Sequence, residues 1–407
     1  KIKPTNFLGY KKNTIKSSVL SILQDFKEVN KTTNDSKNYS IITEDTCFYA
    51  ESGGQIGDKG LIRSHNTEFK VLDTKKTQQG IFIHYGELIL GSLAVGDEIE
   101  LNINVSLRNS IKKNHSATHL LHAALRNNLG NHVAQRGSLV NEEKLRFDFS
   151  HNKQISKQQI KEIQKEVNNV IANSFETDIS IKSQEDAIQQ GAMALFGEKY
   201  GDEVRVVTLG SKESKPYSVE LCGGTHVDNV LDINKFQIIS EESVSSGVRR
   251  IEACTDNNVD IFNNKLAIEK NNLEKKQEDL IKHFINQIDK LGGSVTFMEE
   301  NKSLYIKKLE NHLDTLKNKS ILTNSDENII TEDEINGITF VTQTIQGLPP
   351  KELRSIYDKF KVEKQNSILA CVTINQEKIS IVVGLTKDLT EKYDARTLIK
   401  FSFDHLG

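Results

Sequence analysis

Tryptophan is absent from this chain of 407 residues, methionine occurs 2 times, proline 4 times and cysteine 4 times, and aromatic residues make up 6%. The cysteines, Cys47, Cys222, Cys254 and Cys371, are scattered and form no CxxC pair. That excludes the disulfide framework of a small secreted domain and predicts free thiols in a reducing cytoplasm. No apolar run approaches the ~18–20 residues that cross a bilayer, so no membrane helix is expected. Charge of one sign is also missing: Lys+Arg number 53 against Asp+Glu 56, a formal −3. A globally basic nucleic-acid binder is therefore excluded. A local basic face is not, because a ligand feels where charges sit rather than their sum. The opening KIKPTNFLGY has no initiator Met and no apolar h-region. It reads as the middle of a longer chain rather than as a signal peptide.

What is present divides into four stretches, and the expected fold class is α+β multidomain. Over residues 1–105, alternating runs such as YSIIT, GLIRS, EFKVL and IFIHY, separated by turn signals, predict a small β-barrel. Thr14 to Asn30 fits helix or strand equally well. Over 106–258 the pattern becomes α+β. Ile111, Leu120, Leu121, Ala124 and Leu125 predict a helix, a second helix follows the N-cap residue Ser156, and strands are expected at LRFDFS, VRVVTLG, FQIIS and VRRIEAC. Over 259–320, Phe262, Leu266, Leu273, Leu280, Phe284 and Ile288 form a coiled-coil-like stripe. A break at Leu291-Gly-Gly-Ser294 predicts an antiparallel helical hairpin, with pairing of two chains into a homodimer as the functional alternative. Residues 321–407 alternate strand and helix and predict a small α/β domain.

Two short motifs carry chemistry. In His115-Ser-Ala-Thr-His119 the i, i+4 spacing puts both imidazoles on one helix face, about 6 Å apart along the axis. In Cys222-Gly-Gly-Thr-His226 two glycines allow a tight loop offering a thiolate and an imidazole. Together they supply an N₃S set, and its softness favours Zn²⁺ over Mg²⁺ or Ca²⁺. Each motif alone has a plain reading, a polar helix face or a buried small thiol, and sequence spacing does not show that the two meet. A zinc peptidase would need His-Glu-x-x-His, but Ser116 occupies the position of the general base. The segment Glu51-Ser-Gly-Gly-Gln-Ile-Gly-Asp58 lacks the Gly-Lys-Ser/Thr of a Walker loop and reads as a tight barrel turn. No ATP site is expected.

Six segments in order carry a family resemblance: FYAESGGQIGDKG at 48–60, NHSATHLLHAALRNNLGNHVAQRGSLV at 114–140, LRFDFSH at 145–151, ALFGEKYGDEVRVV at 194–207, ELCGGTHV at 220–227 and SGVRRIEA at 246–253. Together they resemble the C-terminal half of alanyl-tRNA synthetases. The resemblance implies an editing domain built of a β-barrel and a zinc-containing core, a helical linker and a C-terminal tRNA-binding domain. It implies hydrolysis of Ser or Gly mischarged onto alanine tRNA, with His115, His119, Cys222 and His226 as zinc ligands and Gln135 near the editing pocket. Thr46 is taken, with Gln135, to help place substrate or water. The aminoacylation half has no counterpart here, so no Ala-tRNA synthesis is expected of this chain alone.

Arg108, Lys112 and Lys113 beside the first motif, and Arg249 and Arg250 beside the second, provide local positive charge for tRNA. Physical need supports the reading. A pocket sized for alanine discriminates against glycine or serine by only ~1–3 kcal/mol, so a second, hydrolytic site must reverse the error. A non-catalytic zinc-stabilised tRNA-binding module and a free-standing trans-editing deacylase remain the alternatives.

Overall fold

The structure is a computed structural model and describes residues 2–33, 38–193, 201–210, 216–323, 328–375 and 378–406. The part of the 194–207 motif that runs through residue 200 lies outside the described residues. The chain separates into two compact units, residues 1–265 and 266–407.

The first unit begins with β1 (Asn6–Phe7), β2 (Thr14–Gln24), β3 (Lys27–Val29), β4 (Asn38–Thr43), β5 (Asp45–Thr46), β6 (Gly60–Ser64), β7 (Thr67–Lys76), β8 (Phe82–Leu90) and β9 (Glu98–Ile103). Strand order is β3-β2-β4-β8-β7-β6-β9, and β9 pairs back onto β2, so six strands close into a barrel with β3 as an appendage. Closure depends on β2 dividing its length. Thr14 to Ser18 pair with β9, and Val19 to Leu23 pair with β4 across a register shift between Val19 and Ser21. The ambiguous stretch after Thr14 is thus a β-hairpin. Its two turn residues, Asp25 (φ 48) and Phe26 (φ 63), are both left-handed, the geometry of the two-residue turn that matches strand twist. Phe48, Phe69, Ile41, Ile62 and Leu101 fill the barrel.

Next come α1 (Val105–Leu129), β10 (Gln135–Val140), β11 (Leu145–Ser150) and α2 (Lys157–Ala172). They are followed by β12 (Thr177–Ser183), α3 (Gln184–Gln189), β13 (Glu203–Leu209), β14 (Ser218–Leu221), β15 (Phe236–Ser245) and β16 (Val248–Thr255). Asn104 caps α1 by accepting from the Leu107 N–H at 3.2 Å, and Ser156 with Gln159 forms a capping box on α2. Both helices contribute to one apolar core with the antiparallel sheet β10-β11-β16-β15, through Leu121, Leu125, Ile163, Val167, Phe147 and Ile251. A second sheet, β12-β13-β14, delivers the Cys222 loop at the end of β14. Sequence reading missed β12 because its alternation is confined to Ile179 and Ile181, both of which lie exposed.

Helix α4 (Asn257–Lys290) runs across the boundary between the units, and α5 (Lys302–Thr323) belongs to the second. These two do not form the expected antiparallel hairpin. Gln277 and Glu278 meet Ser303 and Lys302 at the start of α5, while Ile288 packs with Leu309 and Leu313 and Gly293 lies against Leu316 further along it, so the helices run side by side in the same direction. The physical reason is the connection. Residues 278 and 290 are about 18 Å apart at the helical rise of ~1.5 Å per residue. Residues 291–301, extended at ~3.3 Å per residue, span that distance on the return. Val295 and Phe297 secure the returning segment against Tyr305 and the buried Leu309 and Leu313. The unit ends in β17 (Asn328–Ile335), β18 (Ile338–Gln346), α6 (Leu353–Glu363), β19 (Ser367–Asn375), β20 (Lys378–Leu385) and α7 (Ala395–Leu406). Its sheet has the order β17-β18-β19-β20, with the parallel pair β18–β19 joined through α6. None of the helices among the described residues is long and apolar enough to cross a membrane.

Candidate metal centre

Helix α1 presents a buried stripe at Arg108, Ile111, His115, His119 and His122, the spacing of one helix face. The loop after β14 brings Cys222 and His226 to the same place. One ligand atom from each of His115, His119, Cys222 and His226 lies within 4.8 Å of the others, and all four residues are buried. Cys222 Sγ is 3.4 Å from His115 Nε2 and 3.3 Å from His226 Nε2.

The loop is held so that these side chains face inward. Arg205 donates to the carbonyls of Cys222 and Gly224, both at 2.8 Å, and the Tyr10 hydroxyl donates to the Gly223 carbonyl at 2.5 Å. The Arg205 guanidinium in turn lies over the Tyr10 ring, 4.4 Å from its centroid. A Cβ on Gly224 would overlap the His115 ring, which explains the glycine there. Gly223 is the exposed residue of the loop.

Behind the ligands stands a ring of polar partners. His115 Nδ1 donates to Gln55 Oε1 at 2.8 Å, and His226 Nδ1 lies 3.2 Å from Ser116 Oγ. His119 Nδ1 is 2.7 Å from Glu220 Oε2. Such partners fix which ring nitrogen stays free for a metal. His119 Nε2 is buried without a hydrogen-bond partner among the described residues, the condition of an atom awaiting an ion. Burial opposes ionisation of Cys222, yet His115, His226 and His119 hold its thiol well below the ordinary range. Burial presses His226 down to about 3. Burial acts the same way on His119, but Glu220 and Cys222 outweigh it and push that imidazole up to about 10. A thiolate with three imidazoles suits a borderline-soft dication such as Zn²⁺, and the residues present fit one.

The other expected site residues lie elsewhere. Thr46 is fully buried in the barrel, with its Oγ1 2.8 Å from His84 Nε2 and accepting the Phe48 N–H at 3.1 Å. Gln135 is half-buried at the start of β10. Arg108 is 2% exposed. Its guanidinium is consumed by Asp58 and by the carbonyls of Gly9 and Cys47, so it is an internal strut and not a surface cation. Lys112 is half-buried, and Lys113 pairs with Asp256. Arg249 pairs with Glu241, and Arg250 grips Asp148 through two bonds of 2.7 and 2.8 Å. Gln55, Glu220, Tyr10 and Arg205 were not singled out from sequence, and Ser116 was named only where a peptidase would carry its general base. Gln55, Ser116, Arg205 and Glu220 all lie inside the quoted motifs, but nothing local marks their side chains as partners of the cluster.

Comparison with known proteins finds two families whose models match parts of this chain. Residues 1–107 match the family described as tRNA synthetases class II (A), and residues 204–252 match the Threonyl and Alanyl tRNA synthetase second additional domain. The particular relatives are alanine–tRNA ligases, and the chain is a homologue of these enzymes, matched to their C-terminal portion. It is 40% identical over 415 residues to the alanine–tRNA ligase of Parvibaculum lavamentivorans, a match covering 100% of this chain and 45% of that protein. Against that of Vesicomyosocius okutanii it is 40% identical over 403 residues (99% and 45%), and against that of Haemophilus influenzae 39% over 406 (99% and 44%). The chain thus spans somewhat less than half the length of the curated relatives it matches.

Proposed function

We propose that this chain is the editing part of an alanine–tRNA ligase, and that it hydrolyses the aminoacyl ester of alanine tRNA mischarged with serine or glycine. The observation that carries the reading is the buried three-histidine, one-cysteine set, its ligand atoms within 4.8 Å of one another, in a chain matching the second additional domain of alanyl and threonyl enzymes. The residues fit one Zn²⁺, which when bound supplies Lewis acidity or ties α1 to the Cys222 loop. Four protein ligands favour the tying role.

The chain's own residues do the rest. Arg205 and Tyr10 fix the loop carbonyls. Gln135 and Thr46 remain the proposed placers of substrate and water. Burial of Thr46 makes Gln135 the stronger of the two. Lys112, Lys113, Arg249 and Arg250 are the proposed tRNA contacts, and Lys112 supports this best because no ion pair holds it among the described residues. The exposed heptad stripe Leu266, Leu273 and Leu280 on α4 supports pairing with a second copy along that helix. A cytoplasmic location follows from the proposed role.

The test is the initial hydrolysis rate of Ser-tRNA(Ala) beside Ala-tRNA(Ala) with the purified chain. Fast loss of serine with alanine spared is expected, and Cys222→Ala should abolish it. Equal background loss of both, in protein that still holds zinc and binds tRNA, would leave the non-catalytic binding module.

A further inference from the structure

We propose that Gln55, carried on the glycine-rich turn of the β-barrel, is a positioning residue of the metal centre. It sets the tautomer and pose of His115 and locks the Cys222–His226 loop, so that metal retention depends on the barrel. The inference rests on reading His115, His119, Cys222 and His226 as a metal site.

Gln55 is 0% exposed, and its backbone is fixed from both sides. The Ile56 N–H donates to the Val140 carbonyl at 3.1 Å, and the Val140 N–H donates to the Gly54 carbonyl at 2.7 Å, stitching the turn to β10. Gly53 and Gly54 adopt φ of 59 and 84, and a Cβ on Gly54 would run into the backbone of Ser138. The two glycines therefore seat Gln55 against the metal core, a demand that a plain surface turn would not make.

The side chain then meets three groups. Oε1 accepts from the Thr225 N–H and from His115 Nδ1, both at 2.8 Å, and Nε2 donates to Thr225 Oγ1 at 3.0 Å. A backbone N–H can only donate, so Thr225 fixes which end of the amide faces it. The oxygen turned toward His115 can only accept, so the imidazole carries its proton on Nδ1. Its lone pair is left on Nε2, the atom beside Cys222 Sγ. The partners of His119 and His226, Glu220 and Ser116, come from the metal core itself, whereas Gln55 reaches in from the barrel. A leucine would fill the same space and leave His115 Nδ1 and the Thr225 N–H without this partner.

The test uses the full chain loaded with zinc, with release followed by a chromogenic chelator in wild type, Gln55→Leu and Gln55→Glu. Gln55→Leu should release zinc roughly 10–100-fold faster, the usual cost of losing a partner behind a metal ligand. In the cobalt-substituted protein it should shift the thiolate–metal absorption, which loss of packing alone would not do. Gln55→Glu keeps an oxygen acceptor for both donors and should release zinc no faster than wild type. Wild-type release from Gln55→Leu, or release from Gln55→Glu faster than wild type, overturns the proposal. Should Gln55→Leu fail to fold, the Gln55→Glu rate and cobalt spectrum decide by the same criterion. A wild-type chain that takes up neither zinc nor cobalt overturns the metal reading itself. Tight wild-type binding with an indifferent Gln55→Leu overturns only the role of Gln55.

Discussion

The carboxylate of Glu220 lies 2.7 Å from Nδ1 of His119 and, through its other oxygen, 3.1 Å from Nδ1 of His122 one helical turn further on. Despite burial, the two imidazoles hold this carboxyl well below the usual range, so it stands as a fixed anion inside the core. Removing it should leave His119 free to rotate away from the other ligands. Glu220→Ala is expected to weaken zinc binding by roughly 10–100-fold. Glu220→Gln, which keeps an acceptor oxygen but not the charge, should lie between that variant and wild type. Competition with a chelator of known affinity measures both, and equal affinities across the three proteins would show that His119 needs no orienting partner.

Arg108 and Asp58 form a buried ion pair that joins α1 to the barrel, with the guanidinium also bonded to the carbonyls of Gly9 and Cys47. Breaking such a pair leaves an uncompensated buried charge and costs about 3–5 kcal/mol. Arg108→Ala and Asp58→Ala should each lower the urea midpoint accordingly, and the double variant should cost much less than their sum. The salt dependence of tRNA affinity should not change in any variant that stays folded. A slope reduced by about one in Arg108→Ala would instead mean that this residue neutralises a phosphate.

Gly224 tests the steric side of the site. Its ideal Cβ position overlaps the His115 ring and comes to 3.0 Å from Gln55 Oε1. Gly224→Ala should therefore displace His115, lower the zinc content of the purified protein and reduce its thermal stability. Gly223→Ala, where the added methyl meets nothing within 4 Å, is the matched control and should leave zinc content unchanged. Equal zinc contents in the two variants would remove the steric account.

How much of this was legible in the sequence follows from the range over which each signal acts. The four residues of the candidate metal centre were legible because each pair is local: i, i+4 on α1, and a Cys and a His flanking two glycines and a threonine. The Gln55–His115 bond spans 60 positions, and although Gln55 lies in a motif quoted for the resemblance, its segment reads as an ordinary turn and nothing local pointed to His115. Arg108 was misread for another reason. Its neighbours Lys112 and Lys113 suggested a basic surface, yet Arg108 precedes His115 by seven residues and so shares its inward face. Helical periodicity should have outweighed the run of charge. The barrel was legible from alternation, but β17, whose side chains are almost all exposed, offered no apolar pattern to read. The direction of α5 could not be read from Gly292-Gly293, because a chain break marks where a helix ends and not how far the next segment travels.

Stability of the barrel should fall with acid through His84. Its Nδ1 donates to the Ile41 carbonyl at 2.9 Å, which leaves Nε2 to accept from Thr46 Oγ1 at 2.8 Å, so the ring is neutral. Burial lowers its pKa from 6.5 to about 4. Above pH 6.5 the imidazole is neutral in both folded and unfolded chains and contributes no slope. Between pH 6.5 and 4 the unfolded chain binds a proton that the folded barrel refuses, so stability declines across that window, by up to about 3 kcal/mol at ~1.4 kcal/mol per pH unit. His84→Gln carries no titrating group. It should be less stable at pH 7, because the geometry of both ring contacts is lost, yet lose less between pH 6.5 and 4.5. Urea midpoints taken across that range for both proteins separate this group from the carboxylates, whose titration is common to the two. Parallel midpoint curves would mean that His84 titrates normally and that the barrel interior admits its charge.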